Sequence, residues 1–145
     1  MSATFTKSRS SVAVVTVMAG VLAMSVGLAT AAAIKVTLSG DHEVPPVKTS
    51  AVGNGTITVG DDRSVSGSLT TSGIAGIAAH IHEAAAGKNG PVIVPLTKTS
   101  DNVWSVPAGA KFTEAQYKSY RAGDLYVNVH SDAHKDGEIR GQLKP

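Results

Sequence analysis

Five histidines hold most of the chemistry this sequence can offer: His42, His80, His82, His130 and His134. Four of them fall into two close pairs, and Ala79-His80-Ile81-His82 has the spacing of a chelate. In an extended strand, residues i and i+2 point to one face about 7 Å apart, so both imidazoles stand on one side and Ile81 on the other. Imidazole nitrogens converging in this way suit a transition metal. His130 closes the alternating run Leu125-Tyr126-Val127-Asn128-Val129-His130, where a strand meets a loop, and His134 follows within the loop Ser131-Asp132-Ala133-His134-Lys135-Asp136-Gly137. His42 precedes a Pro45-Pro46 bend. His130, His134 and His42 are the candidate further ligands, each with the plain alternative of a solvated or hydrogen-bonded side chain.

Composition narrows the choice. The chain of 145 residues contains no cysteine, and its three methionines are Met1, Met18 and Met24. Lys7 and Arg9, the apolar stretch from Ser11 to Leu28 and Ala31-Ala32-Ala33 have the order of an export leader, positive, then apolar, then small. Residues 1–33 are therefore expected to be a signal peptide cleaved after Ala33, with retention as an anchor the alternative, because about 18 apolar residues approach a membrane span. Removing them leaves no sulfur ligand, which excludes cysteine nucleophiles, thiolate zinc sites and blue-copper centres. The leader holds two of the 13 basic residues and no acid, leaving 11 against 11 acidic ones. A neutral domain without a Lys/Arg run gives no sign of a nucleic-acid surface. Ser131-Asp132 and the histidines contain the residue types of a hydrolytic triad, but nothing nearby resembles a nucleophile elbow.

The elements that must position the histidines read as short strands with period-two alternation, separated by Gly, Pro, Asn and Asp. Strands are expected at 35–39, 55–59, 65–71, 78–83, 92–96, 103–106, 125–130 and 138–143, with Asp61-Asp62 at a hairpin tip. Thr113-Glu114-Ala115-Gln116 fits a capping box opening one short helix that Gly123 stops. Phe112, Tyr117 and Tyr120 are expected to cover one end of the fold, and the loop from Asp41 to Ser50 to wrap an end. About eight such strands predict a single all-β domain over 34–145, a Greek-key β-sandwich or flattened barrel.

Several segments together resemble the CHRD family, first named from chordin. They are Leu38-Ser39-Gly40-Asp41-His42-Glu43-Val44-Pro45-Pro46, Ala78-Ala79-His80-Ile81-His82 with Gly90-Pro91-Val92, the run from Leu125 to His130, and Gly137-Glu138-Ile139-Arg140-Gly141-Gln142-Leu143. A weaker likeness links His80-Ile81-His82-Glu83 and Val127-Asn128-Val129-His130 to the copper-ligand strands of copper–zinc superoxide dismutases, with Arg140 matching the arginine those enzymes keep beside the copper. The resemblance implies a superoxide-dismutase-like fold with copper on His80, His82 and His130, and Arg140 as the catalytic cation that draws in superoxide. The chain departs from the dismutase pattern, with no zinc loop, no cysteine pair and no histidine between His82 and His130. It therefore implies a single copper ion without zinc, its fourth ligand His134 or His42.

The function expected on these grounds is an exported, periplasmic or secreted copper-binding protein acting as a copper-only superoxide dismutase. Its substrate would be a small molecule; no nucleic acid and, after cleavage, no membrane is involved, and a homodimer is allowed. Copper storage without turnover and a non-catalytic protein-binding or adhesion module are the alternatives. Arg140 has a second reading as a strand-end partner of Glu138, Asp136 or Glu83.

Overall fold

The computed structural model describes residues 1–2 and 31–145. Most of the expected leader lies outside these residues. Among the described residues no helix is long and apolar enough to cross a membrane.

Nine antiparallel strands form one sheet: β1 (Ala31–Ser39), β2 (Val52–Gly60), β3 (Val65–Ser72), β4 (Gly76–Glu83), β5 (Val92–Pro95), β6 (Thr97–Ser100), β7 (Val103–Ser105), β8 (Leu125–Ser131) and β9 (Ile139–Leu143). Their order is β5-β4-β8-β9-β1-β2-β3-β7-β6. The two edge strands, β5 and β6, are consecutive in the chain and separated only by Leu96, whose N–H donates to the Ala79 carbonyl at 2.9 Å. The sheet therefore nearly closes on itself as a barrel, which removes the open edges that an antiparallel sheet must otherwise protect. Among the described residues the expected all-β class, flattened-barrel architecture and one short α-helix hold.

Period-two alternation explains the core. Ile34, Val36 and Leu38 of β1, Ile57 and Val59 of β2, Ala79 and Ile81 of β4, and Ile139 and Leu143 of β9 point inward and are buried. Each fully buried branched aliphatic side chain contributes about 1.5–3 kcal/mol. Trp104, Phe112 and Tyr120 join the same cluster, with Tyr117 packed against it. Thr113 caps α1 (Glu114–Ala122) with both halves of the expected capping box, and Gly123 ends it at φ 79°. The chain turns between β2 and β3 at Asp61-Asp62.

Observed strands run longer or shorter than expected by up to four residues, most at the start of β1, and one strand is new. Strand β1 begins at Ala31, because Ala31, Ala32 and Ala33 continue the β2 ladder opposite Gly60, Val59 and Thr58, and backbone pairing needs no particular side chain. Strand β6 was not expected: all four residues of Thr97-Lys98-Thr99-Ser100 are exposed, so no apolar alternation marks it.

Strand β8 positions the site. All seven of its residues are buried. Leu125, Val127 and Val129 enter the core, while Tyr126, Asn128 and His130 face outward yet remain covered. Loops pack over that outer face, among them the segment from Gly40 through the cis Val44–Pro45 peptide and the connection from β4 to β5.

Candidate metal centre

Register brings the histidines together. Strands β4 and β8 pair so that His82 lies opposite Tyr126, His80 opposite Asn128 and Ala78 opposite His130. His80, His82 and His130 thus share the outer face, and one ring nitrogen from each lies within 4.8 Å of the others. His80 Nδ1 is 3.0 Å from His130 Nε2.

Hydrogen bonds on the far sides of two rings set their tautomers. His130 Nδ1 lies 2.8 Å from the Lys135 carbonyl and His82 Nδ1 lies 2.9 Å from the Gly90 carbonyl. A carbonyl can only accept, so each Nδ1 carries the proton and each Nε2 presents a lone pair. The buried His82 Nε2 has no hydrogen-bond partner. An orphaned, buried acceptor beside two other imidazoles is the condition that a metal ion relieves, and carbonyl-held Nδ1–H groups are the usual support of ligating histidines. The residues therefore fit a metal bound through His80 Nδ1, His82 Nε2 and His130 Nε2. Burial, and after it the neighbouring imidazoles, push the His80 pKa down; burial is also the main cause of a lowered pKa at His82. Neutral imidazoles are the form that binds metal.

His134 and His42 lie outside this group. His134 is half-buried beside Glu43, Val44 and Gly137, its backbone N–H turned back to Ser131. His42 is exposed, with Nδ1 3.3 Å from the Arg140 carbonyl.

Arg140 is fully buried, at 1% exposure. Its guanidinium donates from Nη2 to the Lys88 carbonyl at 2.7 Å and from Nη1 to Asn89 Oδ1 at 3.1 Å, and Cζ lies 3.4 Å from the centre of the Tyr126 ring. Tyr126 in turn stacks on His82, with ring centres 4.7 Å apart and planes 6° from parallel. Burial lowers the Arg140 pKa, opposed by Tyr126 and by Glu43. Glu43 is the acid facing Arg140, not the Glu138, Asp136 or Glu83 of the ion-pair reading. Glu138 instead accepts from the hydroxyls of Thr49 and Ser131, and Glu83 from Ser119. Burial raises the Glu43 pKa, with Arg140 and then the Asn128 amide pulling it down, and Glu43 Oε1 has no hydrogen-bond partner.

Sequence reasoning missed Tyr126, Asn128, Glu43, Asn89 and the Gly90 carbonyl. For Tyr126 and Asn128 the signal was present, since they alternate with the core residues of β8 and share the face of His130. The role of 88–90 had only the turn character of Asn89-Gly90-Pro91 to announce it.

A family model described as CHRD domain matches residues 34–143. No curated protein and no solved structure matches the chain.

Proposed function

The chain belongs to the CHRD domain family, and from that premise we propose that it is an exported copper-binding protein whose three-histidine centre removes superoxide. The observation that carries this reading is the convergence of three imidazole nitrogens within 4.8 Å, with the Nδ1 of His82 and of His130 each held by a carbonyl so that both Nε2 atoms are acceptors. Three nitrogens and no sulfur suit both oxidation states of copper. A copper ion held by His80, His82 and His130 would supply the one-electron redox chemistry by which superoxide is dismutated to oxygen and hydrogen peroxide. The chain's own part is to hold three neutral imidazoles in place and to keep Gly90 and Lys135 carbonyls on the protons of two of them. Burial of His82 and His130 limits competing water.

A second reading, bound copper without turnover, is favoured by one observation. Two N–H groups of the Arg140 guanidinium are engaged by Lys88 and Asn89 and its plane lies on Tyr126, so the protein itself already uses this side chain. The test is to load the purified domain with Cu(II), record its EPR spectrum and assay superoxide removal, beside a His80→Ala/His82→Ala variant. One copper per chain with superoxide removal, both lost in the variant, supports the proposal. Stoichiometric copper without superoxide removal leaves storage. Neither property in the wild type leaves a protein-binding module, and stoichiometric zinc in place of copper overturns the metal assignment.

A further inference from the structure

We propose that Arg140 serves the histidine centre as a positioning residue: with Asn89 it pins the loop segment 88–90, whose Gly90 carbonyl holds His82 with its Nε2 bare. The inference rests on reading the cluster as a metal site. It gives Arg140 a different task from drawing in an anion.

Five hydrogen bonds that involve a side chain meet on three consecutive residues. Lys88 O accepts from Arg140 Nη2 at 2.7 Å, and Asn89 Oδ1 accepts from Arg140 Nη1 at 3.1 Å. Asn89 Nδ2 donates to the Val44 carbonyl at 2.8 Å. The Gly90 N–H donates to the Tyr126 hydroxyl at 3.3 Å, and the Gly90 carbonyl accepts from His82 Nδ1 at 2.9 Å. Lys88 and Asn89 are exposed and lie in no strand or helix; from within their own segment they are held by the Lys88 N–H, which donates to the Ala85 carbonyl at 3.1 Å. Arg140 is buried on β9, a strand paired with β8.

The chemistry matches the geometry. A guanidinium presents parallel N–H groups in a planar fork, which can grip a carbonyl and a neighbouring amide oxygen together, whereas an ammonium is a point charge. The same plane packs on Tyr126, whose ring also stacks on His82 and whose hydroxyl accepts from the Gly90 N–H. Arg140 thus reaches His82 by two routes, through the loop segment and through the tyrosine. The cavity of about 600 Å³ that Arg140 lines is shared with Asp41, His42, Glu43 and Gln142 and is not lined by His80, His82 or His130.

The test needs no metal to begin with. In the metal-free chain at pH 8, long-range 1H–15N correlations of the His82 ring report its tautomer. Wild type is expected as the Nδ1–H form; Asn89→Ala, Arg140→Gln and Arg140→Lys are each expected to add the Nε2–H form. With Cu(II), all three should lose about 10–100-fold in affinity, the loss typical when a partner behind a ligand is removed, and the EPR hyperfine splitting should change. Asn89→Ala alters an exposed side chain and no charge, so it decides the matter if an Arg140 variant fails to fold. An unchanged His82 tautomer in Asn89→Ala, or wild-type tautomer and copper affinity in Arg140→Lys, would overturn the proposal. A wild type that takes up no copper would sink the proposed function alone, since the tautomer still answers the question about the loop segment.

Discussion

At the residue scale, the distinguishing feature is a set of buried acceptors without donors: His82 Nε2, Glu43 Oε1 and Asn128 Oδ1. Such atoms are costly unless something occupies them, and they lie on the covered outer face of β8 and its neighbours. Glu43 provides a prediction with a definite sign. Its folded-state pKa is raised above the unfolded value, mainly by burial, so the folded state holds the proton longer than the unfolded one. The stability it contributes is fully present below the ordinary carboxylate pKa and is lost as pH rises through the raised value. Glu43→Gln imitates the protonated form. Thermal melts of both proteins between pH 4 and 8 should therefore show the variant gaining on wild type as pH rises; a difference independent of pH would remove the buried-carboxylate account.

At the element scale, the loop between β4 and β5 is as much part of the centre as the strands. A Cβ on Gly90 would collide with the Glu83 backbone carbonyl, so Gly90→Ala must displace the chain whose carbonyl holds His82. The expected outcome is weakened Cu(II) binding by titration, with the barrel's far-UV circular dichroism retained. The helix is a separate matter. Thr113 accepts from the Gln116 N–H at 3.2 Å, while Gln116 Oε1 accepts from the Thr113 N–H at 2.9 Å. Losing an N-cap side chain costs about 1 kcal/mol, so Thr113→Ala should lower unfolding stability in urea by that amount and leave copper affinity unchanged. Of these two elements, the helix was legible in local residue types, because a cap is made by residues three apart. The loop was not, because its partners Arg140, Val44 and Tyr126 are distant in the chain.

At the scale of the whole molecule, closure through Leu96 makes the barrel and its outer-face site one unit. Trp104, the single tryptophan, is buried in the shared core and pairs across from Leu69 and Lys98. Its fluorescence and the far-UV dichroism should lose structure at the same urea concentration, as two-state behaviour requires. A metal that binds only the folded state adds about 2.7 kcal/mol at a free concentration 100-fold above its Kd, so Cu(II) should raise the midpoint in wild type and not in His80→Ala/His82→Ala. The sequence by itself determined the all-β class, most strand positions, the capped helix and the pairing of His80 with His82, because period-two alternation and local hydrogen bonds are written in neighbouring residues. His130 was expected beside that pair from the resemblance; only the tertiary structure decided that His134 and His42 stay outside the group and that Arg140 ends buried against the 88–90 segment. Those outcomes depend on the register of β4 against β8 and on which loops fold over β8 and β9, and long-range pairing of that kind leaves no periodic mark in the chain.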